Sequence, residues 1–401
     1  MKKKLVSAAA LLLVPIILIV SLCSCHYEGV AGLTEKNKAL TLPEDLYFNH
    51  FGKIPYHADQ PNANDSNQTK SLMSVVSIYA YTSGVASAGG SGVIYQTNKN
   101  EGDAYIITNH HVAYDGYDGI FENIYVYLYG LENENYEIKA EYVGGSMQYD
   151  LAVLKITNSD ILRNSFAQEA EFANSDEVQI LDPVVAVGNA QGEGISATAG
   201  TINVDSEYLT MITVDNSMRV NYRVMRTDAA INPGNSGGGL FNSRGELVGI
   251  VNAKVQSSSV DNMGYVIPSN VARAVADNII YFCDGTPLKT VYKCTLGIHV
   301  KTDEVKVNYD DKTGIITKQE VVKISEIESR AEYLTSVIRV GDTVKSITID
   351  GNRIDITKRY QVVEAMLDVR DGSLIVVECI RDSDIFSIEI GVTCDMIYQY
   401  K

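Results

Sequence analysis

The run Thr227-Asp228-Ala229-Ala230-Ile231-Asn232-Pro233-Gly234-Asn235-Ser236-Gly237-Gly238-Gly239-Leu240 wedges one hydroxyl, that of Ser236, between glycines just before an apolar strand. A serine hydroxyl is a poor nucleophile at neutral pH. It needs a base to take its proton and donors to hold the oxyanion that its attack creates. Gly234, Gly237 and Gly238 suit both needs: without Cβ they allow a tight turn in which the amides of Gly234 and Ser236 point at one spot, with room for a substrate chain. The same residues also suit a plain glycine-rich hairpin turn. What separates the two readings is whether a histidine and an aspartate stand upstream in suitable contexts.

Both do. Tyr105-Ile106-Ile107-Thr108-Asn109-His110-His111-Val112 is a β-rich run ending in two histidines, and Tyr149-Asp150-Leu151-Ala152-Val153-Leu154-Lys155-Ile156 sets one carboxylate at the head of an apolar strand. The order His, Asp, Ser is that of chymotrypsin-like enzymes, and differs from the orders of subtilisins and α/β-hydrolases. Thr-Asn-x-His-Val, Asp-Leu-Ala-Val-Leu-Lys and Thr-Asp-Ala-Ala-Ile-Asn-Pro-Gly-Asn-Ser-Gly-Gly together resemble the three catalytic blocks of the HtrA/Deg serine proteases. The resemblance implies a mainly β chain: a chymotrypsin-like double β-barrel protease domain followed by a PDZ domain. It also implies His111 as base, Asp150 as its orienting carboxylate and Ser236 as nucleophile, with Gly234, Asn235 and Ser236 forming the oxyanion hole. His111 is chosen over His110 because the family motif places its histidine directly before valine.

Six residues before the nucleophile, where trypsin-like enzymes that cut after Arg or Lys carry an acid, stands Ala230. With Ile231, Ile250 and Val251 as the other expected lining residues, the pocket takes small or medium aliphatic side chains. An apolar pocket separates close homologues by only ~1–3 kcal/mol, so the specificity is expected to be loose.

The chain has 401 residues, 45% of them apolar, enough for two or three domains with real cores. Its formal charge of −17 argues against a nucleic-acid partner. Met1-Lys2-Lys3-Lys4 followed by the apolar run Leu5 to Leu22 has the form of an export signal, assigned to residues 1–24. Leu22-Cys23-Ser24-Cys25 resembles a bacterial lipobox with Cys25 as the lipidated residue. An uncleaved anchor is the other reading, since about 18 apolar residues just span a bilayer. Either way the protein is tethered to the bacterial cell membrane, outside the cytoplasm. Residues 25–70 are polar and proline-punctuated, and read as a tether. No phosphate loop, metal-ligand set, or flavin or nicotinamide motif is present, so no cofactor is expected. Cys283 and Cys294 flank the link between domains and are candidates to bridge; Cys379 has the setting of a small buried hydrophobe.

Residues 71–285 consist of short β-type runs beginning near Val75, Gly92, Tyr105, Ile124, Leu151, Val184, Thr210, Leu247 and Gly264. Val271, Val275, Ile279 and Ile280, at helical spacing, predict a closing helix from Ser269 to Cys283. Gly90-Ser91-Gly92-Val93-Ile94 and Val187-Gly188-Asn189 are further marks of the HtrA resemblance. In residues 290–401, Val340-Gly341-Asp342, Asp350-Gly351 and a helical run from Tyr360 to Leu367 resemble a bacterial PDZ domain, with Leu296, Gly297 and Ile298 in the peptide-binding loop. The stretch Ser329 to Ser336 departs from the family pattern there. The partners implied are unfolded or misfolded proteins as substrates, peptide C-termini at the PDZ domain, and copies of the chain in a homotrimer or larger assembly. Two other readings use the same residues: a proteolytically latent peptide-binding or chaperone module, and a narrow regulatory protease that clips one membrane partner.

Overall fold

The computed structural model describes residues 67–399, apart from 117–118, 133, 254–262, 283–289 and 313–315. The export signal, Cys25, Cys283 and most of the expected tether therefore lie outside the described residues. The helix Asn67–Met73 begins inside the stretch expected to be tether.

Twelve strands close into two six-stranded barrels of the same topology. The first is built from β1 (Val75–Thr82), β2 (Val85–Asn98), β3 (Asp103–Thr108), β4 (Asn123–Leu128), β5 (Ile138–Ser146) and β6 (Leu151–Ile156), in the closed order β1-β2-β3-β6-β5-β4. The second uses β7 (Pro183–Gly188), β8 (Ser196–Ile212), β9 (Arg219–Thr227), β10 (Gly239–Asn242), β11 (Leu247–Asn252) and β12 (Gly264–Pro268), in the order β7-β8-β9-β12-β11-β10. Alternation explains why each barrel fills. Residues such as Val76, Ile78 and Ala80 on β1 point inward with Ile106, Val126 and Leu154, and Ala186, Ile202, Met225, Leu240 and Val266 fill the second interior. The run expected to start at Thr210 is the end of the longer strand β8, whose hydrogen-bonding to β7 begins at Ser196.

A third apolar layer joins the barrels. Val75, Val93, Ile107 and Val153 from the first meet Val187, Val224, Phe241 and Ile267 from the second. The helix Ser269–Phe282 lays Val271, Val275 and Ile279 on the same layer, as its spacing predicts. This layer fixes how the two barrels face each other, and so what lies in the cleft between them.

The C-terminal part holds its own core, from Cys294 through Ile324, Ile347, Ile375 and Cys379 to Val392. Its sheet runs in the order β14 (Ile298–Tyr309), β15 (Ile316–Ile327), β16 (Thr343–Ile349), β18 (Leu374–Arg381), β19 (Asp384–Gly391), with β17 (Asn352–Asp355) hairpinned onto β16. The β16–β17 loop is Asp350-Gly351, both with positive φ, the two-residue turn that matches strand twist. β13 (Tyr292–Cys294) pairs with β20 (Ile397–Gln399). The helix Arg359–Ala365 overlaps the run expected to be helical, Tyr360 to Leu367, beginning one residue before it, and Ser329–Ser336 is a 3-10 helix that buries Ala331 and Leu334.

Candidate active site

His111 sits on the helical turn His110–Ala113, which follows β3 directly; Asp150 heads β6; Ser236 lies in the loop between β9 and β10. The fold brings these three residues, far apart in sequence, into one chain of hydrogen bonds. His111 Nδ1 is 2.8 Å from Asp150 Oδ2, and His111 Nε2 is 3.0 Å from Ser236 Oγ. A carboxylate only accepts, so Nδ1 carries the proton and Nε2 of the neutral ring is the acceptor. Ser236 Oγ also accepts from the Ala253 amide at 3.2 Å, which leaves the hydroxyl proton for His111.

Asp150 is buried, and its φ of 50° is a left-handed conformation that Asp tolerates better than most residues. The bend turns both its carbonyl and its carboxylate toward β3: its carbonyl accepts the His110 amide and Asn109 Nδ2, and Oδ1 accepts the His111 amide. Burial alone would push the Asp150 carboxyl up. The charge of His111 and its hydrogen bond, with His110 and the His111 amide, pull harder, and the carboxyl lies below its ordinary value.

His110 points elsewhere. Its ring stacks on Tyr114 at 4.8 Å, its Nε2 meets Tyr142 Oη at 3.0 Å, and it packs on Gly145. Adjacent residues on one turn cannot both face Ser236, and the structure separates them as the motif implied.

In the nucleophile loop, Asn232-Pro233-Gly234-Asn235 is a turn closed by the Asn235 amide on the Asn232 carbonyl at 3.0 Å, with φ of 96° at Gly234. This corrects one expectation: the Asn235 amide is spent inside the turn and is no oxyanion donor. Gly234 and Ser236 remain. The Pro233 carbonyl accepts the Gln191 amide at 2.8 Å and the Asn235 carbonyl accepts the Gly238 amide at 2.9 Å. Across a trans peptide the next N–H points the opposite way, so the Gly234 and Ser236 amides are turned from those anchors.

The pocket expectation needs a second correction. Ile250 is fully buried in the layer between barrels and Val251 is fully buried inside the second barrel, so neither side chain lines open space. β11 is covered on both faces, a situation a buried apolar run does not reveal. Ala230 is exposed, and Ile231 is half-buried over Gly264, where a Cβ would meet Ile231 Cδ1 at 2.3 Å.

Sequence reasoning missed Asn252. It is buried at the end of β11, and its Nδ2 donates to Asp150 Oδ2 at 2.9 Å and to Tyr222 Oη at 3.0 Å. A lone Asn ending a strand carries no signal of this role. Its position, 102 residues from Asp150 and on the other barrel, becomes meaningful only once the barrels dock.

The arrangement can run acyl transfer: nucleophile, base and orienting carboxylate form one chain of hydrogen bonds. A family model described as a trypsin-like peptidase domain matches residues 90–250. The Serine protease Do-like HtrA of Lactococcus lactis subsp. lactis (strain IL1403) is 39% identical over 271 residues, covering 65% of this chain and 60% of the relative. This chain thus spans less than two thirds of that relative's length. The Serine protease Do-like HtrA of Lactobacillus helveticus is 30% identical over 303 residues, 68% of each chain. Among solved structures, the HtrA-type protease AlgW with tripeptide matches with a TM-score of 0.50 at 25% identity, over 82% of this chain and 96% of that one. On these similarities and on the double barrel that carries the His111, Asp150 and Ser236 constellation, the chain belongs to the HtrA family of trypsin-like serine proteases.

Proposed function

We propose that this chain is an exported, membrane-tethered serine endopeptidase that degrades unfolded or damaged proteins outside the cytoplasmic membrane. One observation carries the reading: His111 lies within hydrogen-bond distance of both Asp150 and Ser236. In the reaction, Ser236 Oγ bonds to the scissile carbonyl carbon as its proton passes to His111 Nε2. The carbonyl oxygen, now negative, is held by the Gly234 and Ser236 amides. The intermediate collapses by breaking the C–N bond, and the leaving amine takes the proton from His111. Water then repeats the sequence on the acyl-enzyme, with His111 again the base, and Asp150 keeps the imidazolium oriented throughout.

Exposed Ala230 and half-buried Ile231 offer no charge to a basic side chain, which supports cleavage after Val, Ala, Ile or Leu. The C-terminal part is proposed to be a PDZ domain. Its strand β14 lies at a sheet edge beside Leu296, Gly297 and Ile298, the setting in which a peptide C-terminus adds as an extra strand. Membrane tethering rests on the apolar run Leu5 to Leu22 and on Cys25. Among the described residues, no helix is long and apolar enough to cross a membrane. Assembly into a homotrimer or larger cage is part of the same proposal, taken from the family resemblance.

The test is degradation of an unfolded model protein by this chain beside its Ser236→Ala variant. Cleavage by the wild type alone, with fragment ends after small aliphatic residues, is the expected result. Equal cleavage by both, or none by either, overturns the reading.

A further inference from the structure

The motif Gly90-Ser91-Gly92 lies on β2 of the first barrel, yet most of its polar chemistry is spent on the second. Ser91 is fully buried. Its N–H donates to the Ser236 carbonyl at 2.8 Å, its Oγ–H donates to the Gly234 carbonyl at 2.7 Å, and the same Oγ accepts the Asn189 amide at 2.8 Å. Only its carbonyl is used at home, accepting Thr108 Oγ1–H at 2.7 Å.

The two residues whose carbonyls Ser91 holds are the two whose amides the proposed reaction uses to hold the oxyanion. A residue's orientation is set by the peptide planes on either side of it, and a bonded carbonyl pins a plane. For Gly234, the preceding plane is pinned by Gln191 and the following one on two sides, by Ser91 Oγ at its carbonyl and by the Asn232 carbonyl at its Asn235 amide. For Ser236, the preceding plane is pinned by Gly238 and the following one by the Ser91 amide and by the Gly237 amide on the Val251 carbonyl. Gly234, with φ of 96° and no side chain, has only the closing bond of its own turn to hold it besides these contacts. Ser91 Oγ also binds Asn189, and so ties the Asn189 to Gln191 segment to the nucleophile loop at a single atom.

We infer that Ser91 is a positioning residue: the first barrel supplies its hydroxyl to hold the oxyanion-binding Gly234 amide of the second in register. The inference rests on the serine-peptidase reading above. A Ser91→Ala change leaves the Gly234 carbonyl and the Asn189 amide without their buried partner, and leaves the Gly234–Asn235 peptide plane held on one side only, by the Asn235 amide on the Asn232 carbonyl. The Gly234 amide then loses alignment at the oxyanion, while the Ser236 amide, held by backbone bonds alone, and the substrate's ground-state contacts stay in place.

The experiment uses the full chain in detergent and an internally quenched peptide with valine before the scissile bond. Removing an oxyanion donor outright costs ~10²–10³ in kcat, so misaligning the Gly234 amide in Ser91→Ala is expected to lower kcat about 10- to 100-fold with KM little changed. The matching peptide boronic acid separates this role from a merely structural one. Its boron bonds to Ser236 Oγ as the proton goes to His111, and the anionic adduct places an oxygen in the hole. Its affinity should fall in step with kcat, while that of the same peptide as a C-terminal amide should not. Ser91→Cys keeps the size with a weaker donor, serves if the alanine variant fails to fold, and is expected to fall between the two. A folded Ser91→Ala or Ser91→Cys protein with wild-type kcat and boronic-acid affinity overturns the inference. A wild type as silent as Ser236→Ala overturns the peptidase reading itself.

Discussion

Arg223 on β9 and Glu364 on the C-terminal helix meet in a two-pronged ion pair, Nε to Oε1 at 2.7 Å and Nη2 to Oε2 at 2.8 Å. The guanidinium is almost wholly buried, lies 3.8 Å over the Tyr360 ring and reaches Asp176 at 3.3 Å. Asn278 of the closing helix adds a second buried joint, donating to the Tyr292 and Leu367 carbonyls and accepting the Tyr292 amide. The C-terminal part is thereby seated on the double barrel by polar groups that are largely withdrawn from water.

Removing one partner of such a pair strands the other charge. Glu364→Ala is expected to cost about 3–5 kcal/mol in urea unfolding. Arg223→Lys should also lose stability, because an ammonium cannot reproduce the two-pronged geometry or the stacking. A loss below about 1 kcal/mol, the size of an exposed pair, would show that the joint is solvated.

Asp150 couples catalysis to pH in a definite direction. Its folded-state pKa lies below the ordinary value, so its stabilising contribution is present above the unfolded value of about 3.9 and is lost as pH falls through the folded one. In Asp150→Asn, kcat is expected to fall by about 10⁴ as the imidazole takes the wrong tautomer. The stability gap between variant and wild type at pH 7 should narrow as the solution is acidified below about pH 4. Denaturant titrations across that range check the sign.

Asn252 donates to the same carboxylate oxygen that His111 uses. A hydrogen bond to a charged group contributes about 1.5–3 kcal/mol. Asn252→Ala should therefore lower kcat about 10-fold or more with KM little changed, and steady-state kinetics on the quenched peptide would read the split.

Gly237 has φ of 84°, and a Cβ there would lie 2.1 Å from the Ser91 carbonyl oxygen and 2.3 Å from Thr108 Oγ1. The conformation alone costs a side chain about 1–3 kcal/mol, and both obstacles are buried. Gly237→Ala should abolish labelling of Ser236 by a fluorophosphonate, a reaction that needs only the nucleophile and its hole.

Burial pushes the Cys294 thiol up to about 11 and the Cys379 thiol up to about 12, whereas Cys394 is exposed. Among the described residues these three thiols are unpaired. At pH 8, iodoacetamide should label Cys394 in the native protein, and Cys294 and Cys379 only after denaturation. Peptide mass mapping distinguishes the sites.

Much of this protein is local in origin. Short, almost continuous apolar runs such as Val75–Ala80 and Leu151–Ile156 specify strands covered on both faces, the spacing of Val271, Val275 and Ile279 specifies an amphipathic helix, and Asp350-Gly351 specifies a tight hairpin. The residue types of the His111, Asp150 and Ser236 blocks, in their order, were enough to name the candidate chemistry from sequence. Other features exist only between segments distant in the chain. The loss of Asn235 as an oxyanion donor follows from a turn closing on Asn232, and the withdrawal of Ile250 and Val251 from the pocket follows from two cores meeting on β11. The support that Asn252 and Ser91 give the site arises when one barrel presents polar atoms to the loops of the other. A hydrophobic pattern states which face of a strand is buried, but a hydrogen bond across an interface needs both partners placed to within a few tenths of an ångström. Only the docking of the two barrels does that.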